Sequence, residues 1–305
     1  MTDSSAPSQP KPSLLRSIAN RRMLICIACG FTSGLPLYIL YQLIPAWLRD
    51  QGIDRTTIGL FSLVGFPYTW KFIWSALMDV PLPGPLGRRR SWALLCQICL
   101  MVTLAALALF DPKTSLNEIV WVVALVAFFS ASQDIVLDAY RRELLPDHEL
   151  GIGNSYYVNA YRLSSLVPGS LALILADRLP WSTVHLIVAA FMLVGILTTL
   201  MMPEQSAPTV SNPSSKPGIE RLWEPLAEFF VSRGTRQAVL LLVFMLLYKL
   251  GDSMATALAT PFYLDMGFSK TEIGTIAKTA SLWSSITGGV VGGVLMIKIG
   301  INRAL

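Results

Sequence analysis

The chain has 305 residues, 53% of them hydrophobic and only 14% charged, with a mean hydropathy of +0.55 and a formal net charge of +5. Soluble domains carry about 25% charged residues, so this composition excludes a soluble fold and leaves a polytopic membrane protein. Two histidines exclude a multi-histidine metal site, and neither a Walker-type phosphate loop nor a nucleophile–base constellation is present; no ATP-driven pump, enzyme, cofactor or nucleic-acid partner is expected.

A span needs about 20 residues to cross a core of about 30 Å. Residues 1–20 form a polar tail, Ser/Pro-rich from Met1 to Pro12, that reads as disordered. The first apolar run, Met23–Leu48, is too long for a signal-peptide core and lacks a small-residue cleavage site, so it is a retained helix. Helices then follow at Thr57–Asp79, Ser91–Phe110, Leu116–Tyr140, Gly151–Asp177 and Trp181–Pro203. Residues 204–235, with Pro208, Pro213, Pro217 and alternating charge, read as a linker. Within it Glu220–Phe230 is either an amphipathic surface segment or ordinary solvated linker. Two more helices, Arg236–Asp265 and Lys270–Lys298, complete eight. The pairs Cys26/Cys29 and Cys96/Cys99 open apolar spans, where cysteine behaves as a small hydrophobe. Gly30/Gly34, Gly288/Gly292 and Gly289/Gly293 permit close helix contact, and Pro36 and Pro67 can kink the first two helices.

Lysines and arginines split between alternate loops. Fifteen lie on the side of the N-terminus and the linker and five on the other, which puts the N-terminus in the cytoplasm. The four others, Lys71, Arg162, Lys249 and Lys278, fall within spans. A charge at the centre of a membrane helix costs roughly 2.5–3.5 kcal/mol, so it marks a polar partner or a wet path. Lys71 has no acid within one turn and is the candidate to meet a substrate anion, with pairing across helices as the alternative. Lys278 can snorkel outward. The segment QDIVLDAYRRE places Asp134, Asp138 and Arg141 on one helical face, suited to proton relay or to a structural network, with Gln133 beside it and Arg142 already in the loop. Tyr157, Tyr161 and Arg162 lie on the fifth helix; Arg162 can pair with those acids or hold an anionic substrate. Lys249 and Asp252 on the seventh are three apart and can neutralise one another. We therefore expect proton coupling or gating at Asp134, Asp138, Arg141 and Asp252, and substrate binding at Lys71, Gln133, Tyr161, Arg162 and Lys249. Tyr38 and Tyr41 could help line the wet cavity.

DQGIDRTTIG (Asp50 to Gly59) and DMGFSKTEIG (Asp265 to Gly274) repeat at an offset of 215 residues, and basic turns LGRRR and IGINR follow the second and eighth helices. Helices seven and eight thus restart the pattern of one and two. Two parallel halves of six helices joined by a cytoplasmic linker are the architecture of major facilitator transporters. The fold expected is an all-α membrane protein with a six-helix N-terminal bundle (21–203), the linker (204–235) and the first two helices of a C-terminal bundle (236–305). At least four helices are missing from such a second half, so a fragment or truncated product is expected. The Asp79…Gly87-Arg88-Arg89-Arg90 loop resembles the superfamily signature between helices two and three, a cytoplasmic latch in which Asp79 accepts from a helix N-terminus and the arginines pair with acids or lipid headgroups. It departs from that signature at Ser75 and in the lengthened turn Pro81–Pro85, and the repeat copy has Ile297 in place of the acid.

GFTSGLPLYIL, IGLFSLVGFPYTWKFIWSALMD, FFSASQDIVLDAYRREL and LYKLGDSMATALATPFYLDMGFSKTEIGTIAKT together resemble the bacterial AmpG-type muropeptide permease family, over nearly all of the chain from about residue 13. The resemblance implies proton-driven import of N-acetylglucosaminyl-1,6-anhydro-N-acetylmuramyl peptides across the inner membrane, a role in peptidoglycan recycling and influence on β-lactamase induction. Protons, the anionic muropeptide and membrane lipids would be the partners. The competing expectations are a relative carrying another anion, such as acetyl-CoA, and a non-transporting fragment.

Overall fold

A computed structural model describes residues 20–80, 82, 86–203, 230–231, 234–277, 279–284 and 287. The helices follow the expected order: α1 (Arg21–Asp50), α2 (residues 55–79), α3 (Arg88–Leu109), α4 (Leu116–Leu144), α5 (Leu150–Ala176), α6 (Trp181–Met201), α7 (Thr235–Asp265) and α8, which begins at Lys270. By length and composition α1, α3, α4, α5 and α6 can each cross a bilayer. Asn20 starts α1 by accepting from the Met23 amide at 3.0 Å, and Ser269 starts α8 through a reciprocal capping box with Glu272. The linker to residue 229, Lys278, the glycines after 287 and the basic turn 299–303 lie outside the described residues.

Five helices depart from the simple expectation. The second was expected to run unbroken from Thr57 to Asp79. Instead, α2 is a chain of short α segments, Arg55–Phe61, Phe66–Trp70 and Phe72–Ser75, alternating with 3₁₀ turns at Ser62–Gly65 and Ala76–Asp79. Pro67 has no amide hydrogen to return to the turn before it, and Gly65 adds no side-chain restraint, so the ladder breaks there. By contrast α4 runs on past Tyr140 to Leu144, which places Arg142 in its last helical turn rather than in the loop. There both arginines face the negative end of the helix dipole. Finally, π turns widen α1 at Ile39–Leu43, α5 at Val167–Leu171 and α8 at Ile273–Ala277.

The closest seam joins α1 to α5. A Cβ built on Gly30 would lie 2.2 Å from the Tyr157 carbonyl oxygen, and one on Gly34 would lie 2.5 Å from that of Tyr161. Backbone therefore meets backbone, as small residues four apart allow. Gly195 of α6 makes a similar approach to the Thr32 side chain of α1. Around this seam Leu35, Ile39, Leu43 and Trp47 of α1 pack with Leu100 and Leu104 of α3, Ile119 and Val123 of α4, and Val184 and Val188 of α6. The outward faces are apolar too: Leu24, Val102, Trp121, Leu186, Leu197 and Phe244 are all exposed. Apolar side chains on both faces are what a bundle immersed in lipid requires. Cys26, Cys29 and Cys96 are buried free thiols and Cys99 is a half-buried one, in keeping with their place in the first turns of apolar spans. Against this bundle, α7 packs on the ends of α1 and α2 that meet at residue 50, and the start of α8 packs on α5.

Candidate functional site

Polar side chains three residues apart on α2 meet α4. Tyr68 hydrogen-bonds the Ser130 hydroxyl, Lys71 forms an ion pair with Asp134, and the Trp74 indole donates to Ser132 Oγ at 3.0 Å. The second oxygen of Asp134 accepts from Ser33 Oγ of α1 at 2.7 Å. Three helices thus converge on one carboxylate whose side chain is 16% exposed, against 32% for Lys71. Of the two alternatives for Lys71, the geometry shows pairing across helices. One turn further along α4, Asp138 binds Arg141 at 3.0 Å, and the Arg141 guanidinium lies 4.0 Å from the Tyr157 ring centroid on α5. A cation over an aromatic face is attracted by the ring quadrupole. The Asp138–Arg141 contact was legible from their three-residue spacing; Ser33, Tyr68, Trp74, Ser130 and Ser132 were not singled out.

Gln133 is fully buried and turns toward α1, donating to the Thr32 carbonyl at 2.9 Å. Tyr161 stacks edge-on against Tyr38 with centroids 5.7 Å apart. Arg162 lines a cavity of about 440 Å³ between the first bundle and α7–α8. The first bundle contributes Tyr38, Gln42, Arg162 and Ser165, and α7 contributes Thr256 and Tyr263. Gln42 Oε1 is buried there with no hydrogen-bond donor among the described residues, and a desolvated acceptor without a partner costs free energy until a donor reaches it. Lys249 and Asp252 lie on α7, but their side chains fall outside what is described.

On the side of the bundle where the first helix starts, the signature loop is built as a clamp. Gly87 takes a positive φ of 79° to start α3. Arg89 then bridges Asp79 at 2.8 Å and Glu143 at 2.9 Å, and Arg88 reaches Glu143 at 3.1 Å. Arg90 donates to the carbonyls of Thr199 and Leu200 at the end of α6. Asp79 therefore accepts from a guanidinium, where a helix N-terminus was expected. The clamp joins α2, α3, α4 and α6.

Apolar spans, charges paired inside them and a polar cavity between two sets of helices define a multi-pass membrane protein. The chain matches the Major Facilitator Superfamily across residues 6–305 and belongs to that superfamily. It is 42% identical to the anhydromuropeptide permease of Escherichia coli over 95% of its own length and 58% of that protein's. It is 50% identical to an uncharacterized protein of Haemophilus influenzae, over 96% of this chain and 69% of that one. It is 30% identical to a putative AmpG-type transporter of Rickettsia conorii, over 93% and 70%. The named relatives carry the names of transport proteins and not of enzymes. The chain thus spans little more than half the length of the Escherichia coli relative.

Proposed function

We propose that this chain belongs to a proton-coupled importer of anionic muropeptides in the bacterial inner membrane, with its N-terminus in the cytoplasm and its solute drawn from the periplasm for peptidoglycan recycling. The observation that carries the reading is the cavity between the two sets of helices, where Arg162 and Gln42, whose Oε1 has no donor among the described residues, face Thr256 and Tyr263. A muropeptide offers carboxylates to a guanidinium and hydroxyl or amide hydrogens to a bare carbonyl oxygen. The name of the Escherichia coli relative supports that solute over other anions.

Coupling is assigned to the α4 carboxylates. Asp134 holds Lys71 and Asp138 holds Arg141, so protonating either acid frees a cation inside the bundle, and deprotonation recaptures it. One charge crossing 100 mV supplies about 2.3 kcal/mol, enough for roughly 50-fold accumulation. The outward-facing loops, the linker and the basic clamp follow the positive-inside distribution.

The test is uptake of radiolabelled anhydro-muropeptide into right-side-out membrane vesicles, with and without a protonophore, for the native protein, Asp134→Asn and Asp138→Asn. Protonophore-sensitive uptake that either substitution abolishes, at unchanged membrane level, is expected. Uptake indifferent to protonophore overturns the coupling, and no muropeptide uptake overturns the solute.

A further inference from the structure

The repeated segments at residues 50 and 265 fold alike, in register, at the fixed offset of 215. Gly52 and Gly267 both adopt left-handed backbone, at φ 90° and 89°. The Gly52 amide bonds the Arg49 carbonyl and the Gly267 amide that of Leu264; Ile53 bonds Leu48 and Phe268 bonds Tyr263. Asp54 caps α2 through the Thr57 amide, and Ser269 caps α8 through the Glu272 amide. Each of these pairs of positions differs by 215.

The charges of the two copies cross over. Arg55 of the first binds Asp265 of the second, and Lys270 of the second binds Asp50 of the first at 3.1 Å. These are equivalent positions exchanged, as at a two-fold contact, where residue i meets j and j meets i. Other groups reinforce the crossing. Arg49 also reaches Asp265, at 2.5 Å. Trp181 of α6 donates to Asp50 at 2.6 Å, and Asp177, at the end of α5, accepts from the Thr271 amide and hydroxyl at 2.6 Å. The acids are 13–26% exposed, so their pairing is only partly screened by water. Among the described residues the clamp at the other end of the spans ties helices within the first bundle only.

We propose that the Asp-x-Gly-x-x-Arg/Lys repeat is a self-complementary lock. It holds the first bundle to α7–α8 across the residue-50 face, and it must come apart for solute to reach the central cavity from that side. The lock is a property of the repeat: duplicating one charged loop supplies both halves of a mutual contact.

The test needs no substrate. Thr256→Cys, which lines the cavity, serves as reporter in a background with the four native cysteines changed to alanine. The protein is reconstituted in liposomes with the residue-50 face outward, orientation being assigned by protection of an N-terminal tag, and exposed to a membrane-impermeant maleimide. Asp50→Lys or Lys270→Asp alone should raise the labelling rate at least about tenfold, the equivalent of one lost pair of about 1.4 kcal/mol. Asp50→Lys with Lys270→Asp together should restore protection. A second reporter in the core, Ala127→Cys, should stay unreactive throughout. Unchanged labelling in the single variants overturns the lock, and so does a doubly reversed protein that labels as fast as the singles. Labelling of the core reporter in the single variants also overturns it, because the pairs would then hold the fold and not a gate.

Discussion

The Lys71–Asp134 pair yields the sharpest stability prediction. In Lys71→Met, Asp134 keeps its carboxylate and one hydroxyl donor, Ser33, while losing the ammonium that neutralises it. Stripping one partner from a buried pair costs about 3–5 kcal/mol. Lys71 is a third exposed, which places the loss near the lower end, about 3 kcal/mol. At about 2–3 °C per kcal/mol for a protein of this size, the melting temperature falls by roughly 6–9 °C. Asp134→Asn alone should cost about 2–3 kcal/mol by orphaning the ammonium. The double variant should recover about half of the summed losses. Its amide oxygen still accepts from Ser33, and neither charge remains in the bundle. Thermal unfolding of the four proteins in one detergent closes the cycle, with an expected coupling of about 2–3 kcal/mol. If the two losses add within about 0.5 kcal/mol, the residues are not energetically paired and the account of α2 docking on α4 is wrong.

Two other outcomes follow from local geometry. Gly30→Ala must separate α1 from the Tyr157 carbonyl and should cost several degrees of melting temperature, whereas Gly251→Ala on α7, with open space around its Cβ position, should be neutral or raise stability by up to about 1 kcal/mol; equal effects in parallel melts would refute the seam. The Asp54 carboxyl, in the loop before α2, is held below its usual 3.8 by the Thr57 hydroxyl and amide; because its folded value is depressed, the cap is intact above 3.8 and is lost as pH falls through the folded value, so amide exchange at Thr57 should accelerate in that acid window and lose this pH dependence in Asp54→Asn.

Local pattern revealed some features and hid others. The spans were legible because an apolar run of 20 residues in this composition has no other use. Within one helix, the Asp138–Arg141 contact could be read from spacing of three. What spacing could not show is a partner on another helix: Lys71 finds Asp134 63 residues away, and nothing near position 71 indicates it. Gly30 and Gly34 announced a close contact without naming α5 as its other side. The broken ladder of α2 was half visible in Pro67, which suggested a kink but not a string of short turns. The repeat at offset 215 could be read directly, yet nothing in it indicates partners for Asp50, Asp177 and Asp265, since charged loop residues are ordinarily solvated. Only the folded chain shows that they face one another. Gln133 stands out in the sequence by its polarity inside a span, and packing directs it to the Thr32 carbonyl.

The π turns of α1, α5 and α8 carry a consequence for how these helices are read along their length. Each wide turn delays the winding by about one residue, so everything beyond it is rotated by about 100° relative to an unbroken α-helix. In α1 the shift falls between Gly34, which faces α5, and Trp47, which packs on His185 of α6. The two ends of one span therefore address different neighbours. A single hydrophobic stripe drawn along the whole helix would be out of phase at one end or the other.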